Sequence, residues 1–95
     1  MNEPPPRVRI YTTRWCPFCV AAKRLFDSLG VEYEEFSVDR DPQLRQRVSA
    51  QAGGWPTVPM IFVDDAFIGG YSDARTLHAR GKLLAMFEPA GVGRP

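Results

Sequence analysis

Cys16-Pro17-Phe18-Cys19 holds the only two cysteines of this chain, at the point where one structural period gives way to another. Before it, Val8 to Thr12 alternates apolar and polar residues and reads as a strand. After it, Phe18, Ala22, Leu25, Phe26 and Leu29 recur at helical spacing, with Lys23, Arg24 and Asp27 opposite. A strand therefore runs straight into a helix whose first turn carries both thiols. With no third cysteine available, the two sulfurs pair with each other, share a metal, or do nothing.

The bulk properties narrow the field. Ninety-five residues make one domain with a small but real core, and 44% hydrophobic content with 12% aromatics marks a globular chain. Twelve basic residues are scattered among eleven acidic ones for a net charge of +1. That balance provides no electrostatic footprint for nucleic acid or an anionic membrane surface. The apolar runs are far shorter than the ~20 residues that span a bilayer. Met1 to Pro6 lacks the basic and apolar regions of a secretory signal, so a cytoplasmic protein is expected. In a reducing compartment a lone Cys-x-x-Cys works as a redox pair more readily than as a staple.

Both ends read as flexible tails: 1–6 is rich in proline, and 89–95 is glycine and proline punctuation with one apolar side chain larger than alanine. The folded domain is expected over 7–88. Gly30 stops the first helix, and Val31 to Val38 forms a second strand. Asp41 caps a second helix, which Pro42 opens and which runs to about Ala52 with Leu44 and Val48 inward. Gly53-Gly54-Trp55-Pro56 breaks it. Val58 to Val63 is the most apolar run and reads as a buried strand; Asp64-Asp65 turns it into a short return strand, Ala66 to Ile68. Ser72 or Asp73 caps a last helical region through Leu77, which Gly81 interrupts before Lys82 to Phe87. The order β-α-β-α-β-β-α predicts an α/β fold: a four-stranded mixed sheet with helices on both faces.

Only a thiolate attacks, and an ordinary cysteine is mostly protonated near neutral pH. Cys16 is placed at the lip of the helix, where unpaired N–H groups and the positive end of the dipole favour an anion. Pro17 suits an early helical position, and Arg14 adds positive potential nearby. Cys19 lies on the same face but deeper, so Cys16 is expected to attack and Cys19 to resolve. Two inert core thiols are the plain alternative. Zinc is a poor one: a structural site takes four ligands, and only His78 remains as a nitrogen donor. No metal is expected.

With the dithiol placed, 7–88 resembles the glutaredoxins of the thioredoxin-fold superfamily. Three separated motifs carry the likeness. Tyr11 to Cys19 is similar to the family's active-site segment, with Phe18 where tyrosine is usual; Thr57-Val58-Pro59 matches its Thr-Val-Pro element; Gly69-Gly70-Tyr71-Ser72-Asp73 matches its Gly-Gly-x-Ser-Asp element. The resemblance implies a thioredoxin-like fold and a dithiol, glutathione-dependent oxidoreductase, with Cys16 and Cys19 catalytic. It implies a cis Pro59 facing the dithiol, with Thr57 and Val58 pairing strand-like with the cysteinyl part of glutathione. Gly70, Ser72 and Asp73, at a helix start, would hold its γ-glutamyl end. Each element also has a plainer reading, as strand start, turn or N-cap.

Two positions depart from the family pattern. Thr13 stands where a lysine is common and Pro56 where an arginine is common. Arg14 is the cation assigned to glutathione here; Arg45 and Arg47 could add to it, but helical arginines read first as solvated surface. Trp15, Phe18, Trp55 and Tyr71 adjoin the three motifs and form a candidate apolar platform for the disulfide substrate. The expected partners are glutathione and glutathionylated or disulfide-containing proteins, with no nucleic acid or membrane and the chain as a monomer. Two rival readings stay open. In one, thioredoxin reductase replaces glutathione as electron source, as Trp15 and the two missing cations hint. In the other, two chains and two glutathiones bridge an iron–sulfur cluster through Cys16, which Pro17 disfavours.

Overall fold

The computed structural model describes residues 7–87, so the tails expected at 1–6 and 89–95 lie outside the described residues. Strand β1 (Val8–Thr12) is central. It pairs in parallel with β2 (Glu34–Ser37) and antiparallel with β3 (Met60–Val63), which forms a hairpin with β4 (Ala66–Gly69). The sheet order is β2-β1-β3-β4. The helices among the described residues are α1 (Pro17–Ser28), α2 (Pro42–Gln51), α3 (Tyr71–Ala79) and α4 (Lys82–Ala85).

Period-two alternation along β1 and β3 sorts the core into two layers. Val8, Ile10, Ile61 and Val63 face Ala22 and Phe26 of α1, Ala74 of α3 and Leu83 of α4. Tyr11, Met60 and Phe62 face the other way, onto Val38 and onto Val48 of α2. Helices thus cover both faces, as the sequence pattern predicts. Fully burying a side chain such as Phe26 or Ile61 stabilises by about 1.5–3 kcal/mol, so the two layers carry the fold.

The second strand is shorter than expected, and the end of α1 explains why. Gly30 takes φ +70° and its N–H donates to Asp27 at 3.1 Å, while Val31 N–H donates to the Phe26 carbonyl at 3.0 Å. This is a Schellman cap, and it uses the Val31 amide that a strand would need. Val31 also packs on the core, so pairing starts only at Glu34. The third strand likewise begins at Met60 rather than Val58, since Pro59 has no N–H to donate to a ladder.

The last helix starts earlier than expected. Gly70, not Ser72 or Asp73, is its N-cap: the Gly70 carbonyl accepts Ala74 N–H at 3.1 Å. Asp73 sits at the third helical position, and its carboxylate reaches back to accept Gly70 N–H at 2.9 Å. This is one half of a capping box; glycine has no side chain for the other half.

Gly69 makes that turn possible. Its φ is +112°, and a Cβ there would meet Asp73 Oδ2 at 2.4 Å and Asp73 Cγ at 2.6 Å. Gly30 also has positive φ, but a Cβ on it meets nothing within 4 Å. Gly30→Ala should therefore cost only the backbone preference, about 1 kcal/mol, whereas Gly69→Ala adds a steric clash and should cost about 3 kcal/mol. Denaturant titration of the two variants measures the difference; equal losses would show that Asp73 is not locked against the Gly69 backbone.

Candidate active site

The strand-to-helix junction places Cys16 as the N-cap of α1, with extended backbone at φ −120° and ψ 104°. Its Sγ accepts the Cys19 amide at 3.2 Å, and its carbonyl accepts from Cys19 and Val20, both at 3.1 Å. An N-cap side chain normally offers oxygen to these unpaired N–H groups; here sulfur does, and an anion at that point also meets the positive end of the helix dipole. The Cys16 thiol is half-buried and donates to the Val58 carbonyl at 3.7 Å.

One helical turn on, Cys19 is buried, at 2% exposure. Burial pushes its thiol up to about 12; the hydrogen bond with Cys16 adds to the rise, and the Thr13 backbone and the Lys23 charge only partly oppose it. The two thiols are therefore unlike. One reaches solvent on the helix lip and the other is held as the protonated thiol within the core.

The second and third motifs come to the same place. The Val58–Pro59 bond is cis, and its carbonyl side meets Cys16. A methyl placed on Gly70 would stand 3.5 Å from the Pro59 carbonyl, 3.9 Å from the Trp55 ring and 4.0 Å from the Asp73 carboxylate. Thr57 is exposed and Val58 half-buried; Ser72 is exposed on the first turn of α3, with Asp73 half-buried behind it. The loop before β3, the end of β4 and the start of α3 thus adjoin one another, and the Val58 carbonyl brings them to Cys16.

The four aromatics divide. The Phe18 and Tyr71 rings stack at 6.5 Å between centroids, and Trp15 stands 89% exposed. Trp55 instead packs edge-on against Phe67 at 5.1 Å, joined to the core on the α2 side. Arg14 is exposed and lines a cleft of about 280 Å³ on the Cys19 side of α1. Arg45 and Arg47 ride on α2, across the sheet from α1, and His78 is exposed on α3.

That cleft contains a cluster the motifs did not announce. The Thr12 hydroxyl, 2% exposed, donates to Glu35 at 2.7 Å, and Lys23 pairs with the same carboxylate at 3.0 Å. Burial raises the Glu35 carboxyl, but the Thr12 and Lys23 hydrogen bonds outweigh it and hold it below its ordinary value. Lys23 lies four residues from Cys19, one turn along the same side of the helix. The spacing was readable in sequence, but the contact with Glu35 needed the β1–β2 register, which sets Ile10 beside Glu35.

Comparison with known proteins agrees on one family. A glutaredoxin family model matches residues 8–68. A glutaredoxin of Pseudomonas aeruginosa is 42% identical over 81 residues, covering 85% of this chain and 95% of that one. The solution structure of a dithiolic glutaredoxin from Trypanosoma brucei brucei superposes with a TM-score of 0.78 at 34% identity, covering 87% of this chain and 88% of the other. The crystal structure of a buckwheat glutaredoxin–glutathione complex gives 0.77 at 30% identity, over 86% of this chain and 76% of that one.

The raised Cys19 thiol makes stability depend on pH. In the unfolded chain it titrates near its ordinary 9.0, and in the folded protein near 12. Between those values the unfolded chain holds fewer protons than the folded one, so the contribution is complete below about 9 and is lost as pH climbs towards 12. The denaturation midpoint of the reduced protein should thus fall between about pH 8 and about pH 10.5, and Cys19→Ala should flatten the fall. An equal fall in that variant would show that Cys19 is not the group responsible.

Proposed function

The chain belongs to the glutaredoxin family of thiol–disulfide oxidoreductases, and on that footing we propose that it reduces glutathione mixed disulfides and protein disulfides at the expense of glutathione. The observation that carries this reading is the inequality of the two thiols: a capped, accessible Cys16 against the Val58 carbonyl, and a buried, protonated Cys19 one turn away. A relative solved as a glutathione complex supports glutathione as co-substrate.

In this reading the Cys16 thiolate attacks the glutathionyl sulfur of a mixed disulfide. A Cys16–glutathione disulfide forms, the substrate's sulfur leaves as thiolate and takes a proton from water. A second glutathione thiolate attacks the glutathionyl sulfur, yielding glutathione disulfide and free Cys16. With a protein disulfide, Cys16 first forms a mixed disulfide with one substrate sulfur. Cys19 then loses its proton to solvent and attacks Cys16 Sγ, so the Cys16–Cys19 disulfide forms and the substrate leaves fully reduced. Two glutathiones return the pair to thiols. Because Cys19 gives up its proton only with difficulty, the Cys16–glutathione species outlasts arrival of the second glutathione.

Glutathione would lie along Thr57, Val58 and Pro59, with Gly70, Ser72 and Asp73 at its γ-glutamyl end. Nine residues of α3 stand behind that terminus, and Asp73 is already anchored by Gly70. Arg14 supplies positive charge nearby, while Trp15, Phe18, Trp55 and Tyr71 offer apolar surface to the substrate. We place the protein in a reducing, cytoplasmic setting, acting as a monomer without metal; no helix among the described residues is long and apolar enough to cross a membrane.

A coupled assay with glutathione, glutathione reductase and a small glutathione mixed disulfide tests the scheme. Cys16→Ser should remove activity, at least a hundredfold, because no other thiol reaches solvent. Cys19→Ser should keep at least half of the rate on the small substrate and lose most of it on a protein disulfide. A dead Cys19 variant on the small substrate would overturn the division of labour. Reduction by thioredoxin reductase but not by glutathione would overturn the choice of reductant.

A further inference from the structure

Two exposed features beside Cys16 are not explained by a site for glutathione. Among the described residues four large hydrophobic side chains stay exposed, and three of them are Trp15, Phe18 and Val20 (41%), all within four residues of Cys16. A cluster of that kind at one spot marks a contact surface, whereas scattered ones need no explanation. Behind it, an open groove of about 600 Å³ runs between α1 and α3, lined by Pro17, Val20, Ala21, Arg24, Leu25 and Tyr71. It leads away from Cys16 along α1, and Val20 stands between it and the Thr12–Glu35–Lys23 cleft, lining both.

The rim of this groove is positive. Arg24 closes its far end, and the Arg75 guanidinium lies 5.9 Å over the Tyr71 ring. Neither arginine is in an ion pair among the described residues. The nearest acids on the same helices face elsewhere. Asp73 is held by the Gly70 amide, and Asp27 lies beside the Tyr33 phenol, which burial and then that carboxylate raise. Two unpaired cations over an apolar floor complement a ligand that is apolar next to the reacting sulfur and acidic beyond it.

Resting on the disulfide-exchange reading above, we propose that this groove holds the extended polypeptide flanking the substrate's cysteine. It selects a segment with an apolar side chain about two residues from the cysteine and an Asp or Glu about four residues from it. The spacing follows from geometry. Val20 lies four residues and Arg24 eight residues along α1 from Cys16, or about 6 and 12 Å at 1.5 Å per residue. An extended chain at about 3.3 Å per residue covers those distances in about two and four residues. Val20 and Arg24 are thereby specificity-determining residues, touching the substrate's backbone neighbours and not the reacting sulfurs.

Single-turnover exchange reads this docking without glutathione. The probes are peptides Cys-Gly-Leu-Gly-Asp and Cys-Gly-Leu-Gly-Lys, and the same sequences reversed, each cysteine carrying 2-nitro-5-thiobenzoate as a mixed disulfide. Cys16 attacks the peptide sulfur, the Cys16–peptide disulfide forms, and coloured thiobenzoate leaves as thiolate. In at least one chain direction the acidic peptide should react about fivefold faster than the basic one, with the advantage shrinking at high salt. Arg24→Glu should reverse that preference while reduction of a small glutathione mixed disulfide stays within about twofold. Equal rates for acidic and basic peptides in both directions would overturn the proposal, as would a preference that survives Arg24→Glu combined with Arg75→Glu. If the acidic preference holds but glutathione fails to turn the enzyme over, the docking surface stands and only the choice of reductant falls.

Discussion

The contact on which the rest of this site depends is the hydrogen bond from the Cys19 amide to Cys16 Sγ. It makes a cysteine sulfur perform the structural task of an N-cap, accepting from an amide that the helix leaves unpaired. The same turn of helix carries Cys19 inward, where burial and the neighbouring sulfur keep it protonated. The unlike settings of the two thiols are therefore two consequences of one helix start.

The surroundings of that helix start come from distant parts of the chain, and each arrives by its own local device. Central β1 aims the junction at the end of the sheet where β3 begins, so the Val58 carbonyl meets Cys16. Positive φ at Gly69 lets β4 turn into α3 directly, and Asp73 locks that turn through the Gly70 amide. Beneath, Thr12 and Lys23 hold Glu35 on the far side of Cys19, linking the polar edge of β2 to α1. Each device is a hydrogen bond or steric fit of ordinary strength. Their convergence on Cys16 follows from a sheet order that brings the β1–α1 junction beside β3.

Much of this was legible in order along the chain. The periods of Val8 to Thr12 and of Phe18 to Leu29 change at the dithiol, and Asp41-Pro42 and Gly30 punctuate helices where they were expected. Misplaced boundaries had local causes that periodicity does not register. Val31 looks like strand but gives its N–H to the Schellman cap, and Pro59 continues an apolar run without an amide to pair. Ser72 and Asp73 both have N-cap chemistry, yet the cap fell to Gly70, because Asp73 caps from three positions inside the helix. Among the aromatics, Trp15, Phe18, Trp55 and Tyr71 are alike in composition; only packing separates the Phe18–Tyr71 pair from a Trp55 anchored on Phe67.

Sequence alone narrowed the chemistry available to this protein: two cysteines three residues apart at a helix start, with no third, can pair with each other, share a metal or stay inert, and the two further motifs pointed to the first. It also determined the elements, because hydrophobic periods of two and about 3.6 are properties of consecutive residues. Tertiary structure decided what no local pattern encodes, namely which side chains share a space. It set Cys16 against Val58, shut Cys19 away from water, tied Glu35 to Lys23, and left Val20 and Arg24 open along a groove beside Cys16. Burial and charge pairing depend on distances through space between residues far apart in the chain, and only the folded sheet sets those distances.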